Sequence, residues 1–146
     1  MTRIHLLALC ATLLTSPATA QAPDALTQAE VQNNIFFSEG GDTLDEAAAL
    51  QVAQLGAVLQ TTALAEACIK VVGHADSSGG AEANMEVSIA RANRVANQLI
   101  RLIGDASRVE LVLGAGETEP LDALPSESPW QRRVTLYART CPDYRG

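Results

Sequence analysis

The chain has 146 residues, 47% of them hydrophobic and 18% charged, which leaves room for one domain and little else. Seventeen acidic residues stand against ten basic ones, a net charge of −7. That balance argues against non-specific binding to nucleic acid or anionic lipid, both of which favour basic surfaces, so any anionic ligand must be held by a local cation.

Residues 1–20 read as a secretory signal peptide rather than as part of the domain. Arg3 supplies a basic start, Ile4 to Leu14 is an apolar run broken only by His5 and Thr12, and Ala18-Thr19-Ala20 is a small-residue cleavage pattern. The run is shorter than the ~20 residues a membrane span needs, and no later stretch is long or apolar enough to span; an uncleaved anchor is the alternative. Cys10 follows Leu9 in the middle of the run, which is the wrong context for a lipid-attachment cysteine. Cleavage after Ala20 removes Arg3 and no acid, leaving nine basic against seventeen acidic residues and a net charge of −8. It also leaves Cys68 and Cys141, an even pair in an oxidising compartment, which favours a disulfide over two buried thiols.

Residues 21–33 are polar, with a proline near their start, and read as a leader or a short helix. Asn34-Ile35-Phe36-Phe37, bounded by Ser38-Glu39-Gly40-Gly41, predicts a first strand. Thr43-x-x-Glu46 fits a capping box, and Ala48, Val52, Leu55 and Leu59 mark one face of a helix running to about Gln60. Cys68 to Val72 predicts a second strand closed by Gly73, followed by a loop over Asp76-Ser77-Ser78-Gly79-Gly80. A second helix starts near Ala81. Its expected buried stripe is Ala92, Val95, Leu99 and Leu102, widened by Ile89, Ala96 and Ile103, with Arg91, Arg94, Gln98 and Arg101 on another face. Gly104-Asp105 ends it. Val109 to Leu113 predicts a third strand, residues 117–131 a long loop with three prolines, and Arg133 to Ala138 a fourth strand. The order β-α-β-α-β-β is that of an α/β sandwich, an α+β fold with two helices on one face of the sheet.

The chemistry concentrates between Gly73 and Ala92. In a regular helix Asn84, Ser88 and Arg91 share one face, whose N-terminal end lies near the loop carrying Asp76. A carboxylate and a guanidinium flanking one cleft suit a zwitterion: the acid takes an ammonium, and the arginine takes a carboxylate through two parallel hydrogen bonds. On residues alone, the commoner reading of such a pair is a plain salt bridge.

This stretch resembles the signature of the OmpA-like peptidoglycan-binding domain, shared by OmpA C-terminal domains, Pal lipoproteins and the flagellar stator protein MotB. The family pattern G-H-T-D-x-x-G, then N-x-x-L-S-x-x-R-A-x-x-V, is met by Gly73-His74-Ala75-Asp76-Ser77-Ser78-Gly79 and by Asn84 through Val95. Gly114-Ala115-Gly116-Glu117-Thr118-Glu119-Pro120 resembles its G-x-G-E-x-x-P turn, and Gln131-Arg132-Arg133-Val134 its N-R-R-V. The likeness covers about residues 32–139. It implies a mixed four-stranded sheet with helices on one face, and binding of the diaminopimelate of the peptidoglycan stem peptide. Carried over, Asp76 accepts the ammonium and Arg91 clamps a carboxylate. Asn84 hydrogen-bonds nearby, Ser77, Ser78 and Gly79 offer backbone donors, and Ala75 and Ser88 complete the site. Because the family's last strand runs antiparallel beside the second, the resemblance also implies a Cys68–Cys141 bridge. Three departures stand out: Ala75 for threonine, Val87 for leucine, and Gln131 for asparagine. The loop from Leu121 to Trp130 matches no family sequence.

Other chemistries are weaker. His74 reads as a packed strand-end histidine rather than a base. A zinc site from His74, Asp76 and Glu82 lacks ligand spacing, and Ser88, His74 and Asp76 lack a nucleophile elbow. Of Arg132 and Arg133, one reads as a solvated or ion-paired strand residue, in preference to the pair forming a basic contact patch. Trp130 either caps the core edge or stacks on a sugar or partner.

The expectation is therefore a periplasmic protein exported by a cleaved signal peptide, with an OmpA-like domain at 34–141 and a tail at 142–146. It binds peptidoglycan without catalysis, cofactor, metal, nucleic acid or membrane span. The alternative is a protein–protein module that has lost wall binding. An envelope protein partner, reached through residues 21–33 or the 121–130 loop, would associate the protein with the outer membrane.

Overall fold

The computed structural model describes residues 31–141; the expected signal peptide, most of the expected leader and the expected 142–146 tail lie outside the described residues. Four strands, β1 (Val31–Phe36), β2 (Ala67–Gly73), β3 (Val109–Gly114) and β4 (Arg133–Thr140), form one sheet in the order β1-β4-β2-β3. β4 runs antiparallel to both neighbours, and β2 and β3 are parallel, so the sheet is mixed as expected. Two helices, α1 (Glu46–Val58) and α2 (Ala81–Ile103), supply the connections before and after β2. No helix among the described residues is long and apolar enough to cross a membrane.

Alternate residues of a strand point to one face. Ile69 and Val71 of β2 and Val134, Leu136 and Ala138 of β4 enter a single core. There they meet Val52, Leu55 and Leu59 from the α1 segment and Ala92, Val95, Ala96 and Leu99 of α2. Both helices therefore cover the same face of the sheet.

Three local expectations need correction. β1 starts at Val31, ahead of the expected Asn34, because β4 pairs with the whole stretch from Val31↔Ala138 to Phe36↔Arg133. The cap of α1 is not the Thr43–Glu46 box. Asp45 is the N-cap and accepts the Ala48 N–H at 2.9 Å, which makes Glu46 the first helical residue, too early to reach back. The stripe of α2 is also rotated. Leu102 and Ile89 are 36% and 44% exposed, whereas Asn84, Ser88 and Arg91 extend the buried face toward the N-terminus. Arg91 thus lies on one face with Asn84 and Ser88, as its cleft reading expected, and apart from Arg94 and Arg101. Leu102 still lies over α1, since a methyl group at Gly56 would meet it at 3.0 Å.

Cys68 and Cys141 are joined by a disulfide. The β2–β4 register explains it: Cys68 lies opposite Arg139 and Ala67 opposite Thr140, which brings the start of one strand beside the end of the other.

Candidate functional site

β2 ends at Gly73, and the next three residues turn out of the sheet. Ala75 is held by a backbone bond to Gly116 O at 2.7 Å. Asp76 follows, 7% exposed, with most of its acceptor capacity in use. Oδ1 accepts the Ser78 N–H at 3.0 Å and the Ser78 hydroxyl, and Oδ2 accepts Arg132 Nη1 at 2.8 Å. Burial pushes the Asp76 carboxyl up, but the bonds from Ser78 and Arg132 outweigh it and hold the pKa below the ordinary carboxylate value.

The position of α2 against this loop depends on two glycines and a serine. Gly73 and Gly114 face each other across β2 and β3, and α2 descends onto the pair. A methyl group at Gly73 would meet Ser88 O at 1.8 Å, and one at Gly114 would meet Ser88 Oγ at 2.6 Å. The Ser88 hydroxyl donates to Met85 O and accepts the Gly116 N–H at 3.0 Å. Ser88 is therefore fully buried and serves the helix–sheet contact rather than the cleft.

That close approach brings Asn84 and Arg91 down beside the Asp76 loop. Asn84 Nδ2 donates to Gly79 O at 3.3 Å and to the Glu117 carboxylate. Arg91 is only 2% exposed. Its Nε donates to Gly41 O at 2.9 Å and its Nη1 to His74 O at 3.2 Å, which leaves Nη2 with no acceptor among the described residues. The guanidinium lies 5.4 Å from the centroid of the Phe37 ring. Burial, followed by the like charge of Arg132, lowers the Arg91 pKa from its ordinary value, while Asp76 and Asp42 act the other way.

These groups enclose a cleft of about 260 Å³. Ala75, Asp76, Ser78, Gly79, Asn84 and Arg91, all expected from the sequence, line it; Ser77 and Ser88 do not. The Ser77 N–H instead bonds Ser126 O at 3.0 Å, tying the loop to the 121–130 segment. Sequence reasoning missed Glu39, Gly40, Gly41, Val87 and Arg132 as cleft residues. The Gly40-Gly41 pair was a readable signal, since both adopt positive φ, at 74° and 90°, and so turn the chain after β1 toward the site. Arg132 had its signal in the paired arginines, but nothing local indicates that it would cross to Asp76. Arg133, 5% exposed, instead donates to Glu119 O at 3.0 Å and to Gln131 Oε1 at 3.3 Å. Gln131 is buried too, and bonds Leu121 N at 2.8 Å and Pro125 O at 3.1 Å. It thereby staples the 121–130 loop.

His74 is 1% exposed. Thr135 donates its proton to Asn34 Oδ1 at 2.8 Å, so its oxygen can accept His74 Nε2–H at 3.3 Å, and Nδ1 is unpartnered. Burial, aided by the charge of Arg133, pushes its pKa down to about 4. Among the described residues no group of three or more His, Cys, Asp or Glu could hold a metal ion.

A depressed histidine makes stability depend on pH. Between pH 6.5 and about 4 the unfolded chain binds a proton that the folded chain refuses, so stability falls as pH falls through that window. The loss attributable to His74 is about 3 kcal/mol. Urea midpoints of wild type and His74→Gln at pH 7 and pH 4.5 should converge toward the acid end. Parallel pH profiles would contradict a buried neutral histidine.

Comparison with known proteins bears on fold and family. The family model described as "OmpA family" matches residues 36–133. Over 89 residues the chain is 35% identical to the "Probable lipoprotein YiaD" of Escherichia coli (strain K12), a match covering 61% of this chain and 39% of that protein. The match thus spans well under half of that relative's length. The structure resembles the OmpA-like domain of FopA1 from Francisella tularensis subsp. tularensis SCHU S4, with TM-score 0.67, 19% identity, and 76% and 73% of the two chains covered. It also resembles the cell wall anchor of the T6SS from Pseudomonas aeruginosa (TM-score 0.63, 24% identity, 81% and 85% covered). For the peptidoglycan-associated lipoprotein from Burkholderia pseudomallei the values are 0.60, 21%, and 73% and 89%. At these identities the structural likeness establishes the fold.

Proposed function

The chain belongs to the OmpA family, and from that premise we propose that its domain binds peptidoglycan non-covalently, by gripping the diaminopimelate of the stem peptide. The observation that carries the reading is the convergence of Asp76 and Arg91, both more than nine-tenths buried, on one cleft. The unlinked end of diaminopimelate carries an ammonium and a carboxylate on the same carbon, a compact zwitterion that suits an acid and a guanidinium facing one cleft. A carboxylate offers about four lone-pair sites, and Asp76 has three occupied, so one remains for an ammonium. Arg91 has Nη2 uncommitted, and Arg132 stands close enough to oppose its charge. A carboxylate entering between the two guanidiniums would relieve that repulsion and gain charge-assisted bonds. The expected clamp is thereby enlarged by one residue: Arg132 both orients Asp76 and shares the anion.

The cleft holds its cations locally, as a ligand with a carboxylate requires in a chain of net charge −7. No bond is broken in this function, and retention on the wall comes from many weak identical contacts. Residues 1–20 are read as the signal that delivers the domain to the periplasm.

Purified sacculi provide the test. Wild-type protein should pellet with them, and Asp76→Ala and Arg91→Ala, each verified as folded, should lose at least about tenfold in binding, as expected when a buried charged partner is removed. Arg91→Lys should recover only part, since an ammonium lacks the planar fork. Wild-type protein that stays in solution would sink wall binding and favour the protein–protein module.

A further inference from the structure

Phe36, Phe37 and Trp130, three of the chain's five aromatic residues, gather around a second groove of about 270 Å³ beside the cleft. Trp130 is 55% exposed, a large apolar surface left in water. It is nevertheless braced: Phe36 meets it edge-on, with ring centroids 4.9 Å apart and planes at 86°. The rim of the groove is polar. Gln51 turns its amide oxygen to Phe36 N at 3.4 Å, and its Nε2 has no acceptor among the described residues. Ser38 donates to Asp45, whose carboxyl is held below its ordinary pKa by the Ala48 N–H and then by Ser38, so the rim also carries a negative charge.

Groove and cleft share a wall. Phe37 and Ser38 line the groove, and Glu39, Gly40 and Gly41, next in the chain, line the cleft. Arg132, two residues beyond Trp130, donates to Phe37 O at 3.4 Å and to Asp76 at 2.8 Å, joining the two floors. A ligand seated on Asp76 and Arg91 therefore extends readily over Trp130. The features of the groove are a fixed aromatic face, a volume suited to a small ring and a rim of hydroxyl, amide and carboxylate. Together they match a neutral pyranose, whose C–H face is apolar and whose edge is a ring of hydroxyls. An acidic partner would be repelled by Asp45.

We propose that Trp130 and this groove form a carbohydrate subsite that stacks on a sugar ring of the wall glycan while the peptide end occupies the cleft, a proposal resting on the wall-binding reading above. Trp130 is the only tryptophan of the chain, so its emission reports the contact directly. The test is calorimetry and fluorescence with three probes: a free stem peptide containing diaminopimelate, the same peptide carrying its disaccharide, and the disaccharide alone. The disaccharide-bearing peptide should bind more tightly than the free peptide and shift the emission, which the free peptide should not. Trp130→Ala should weaken the disaccharide-bearing peptide about three- to tenfold and leave the free peptide unchanged, with Trp130→Tyr close to wild type. Equal affinity for the two peptides, or no effect of Trp130→Ala, overturns the subsite while leaving the cleft intact. Sugar-dependent emission shifts without binding of the free peptide would remove the cleft reading and keep the subsite. Failure of all three probes overturns both.

Discussion

Gly73→Ala is expected to be the most damaging single methyl group in this protein. The added carbon would stand 1.8 Å from Ser88 O and 2.7 Å from Ser88 C, both backbone atoms of α2, and 3.3 Å from the Ala92 methyl. No rotamer change relieves a clash between a β-carbon and a helix backbone, so α2 must lift off the sheet. Lifting it breaks the Gly116–Ser88 bond and loosens the core around Ala92 and Val95. It also carries Asn84 and Arg91 away from Asp76, so stability and ligand binding should fail together. The loss should exceed about 3 kcal/mol, at the upper end of what overpacking costs. Gly80→Ala is the control: nothing lies within 4 Å of its added carbon and its φ of −77° suits any residue. Urea denaturation of the two variants should separate them widely, and a Gly73→Ala midpoint close to wild type would mean that α2 does not sit as close as described.

Opening the Cys68–Cys141 bridge is the second large effect. It closes a loop over a sequence separation of 73, for which chain entropy alone assigns on the order of 4 kcal/mol. The bridge ties β2 to the end of β4, the two central strands, so reduction frees the chain end next to the pair on which both outer strands depend. The paired replacement Cys68→Ala with Cys141→Ala should lower the melting temperature by well over 10 °C for a domain of this size. Dithiothreitol should do the same to wild type and nothing further to the double variant. An unchanged melting temperature in reductant would show that the sheet register alone holds the strand ends.

Much of this architecture was legible before any coordinates. The apolar spacing of Ala48, Val52, Leu55 and Leu59 identified the buried face of α1, and all four are at most 7% exposed. Gly104 marked the end of α2, where it takes φ 73°. The Gly73–Gly79 and Asn84–Arg91 stretches indicated a cleft with a carboxylate on a loop and a guanidinium on a helix. The failures were also physical. Thr43 and Glu46 have the spacing of a capping box, but Asp45, braced by Ser38, captures the first free N–H and moves the start of the helix. Ser88 lies on the correct face of α2, yet periodicity cannot tell a side chain facing a cleft from one pressed against two glycines. The pairing first expected to be between Asp76 and Arg91 is made by Arg132 instead.

Local chemistry thus determined the elements, their order, the polar face of α2 and the residue types of the cleft, because helix and strand periods, caps and turns act over a few residues. Tertiary structure alone decided the rest. Asp76 meets Arg132 across 56 positions, and Arg91 reaches Gly41 across 50, only because β4 lies between β1 and β2 and the Gly73–Gly114 pair lets α2 descend onto the sheet. Contacts of that range are set by strand register and by the volume of residues that carry no charge, and neither is written next to the groups they bring together.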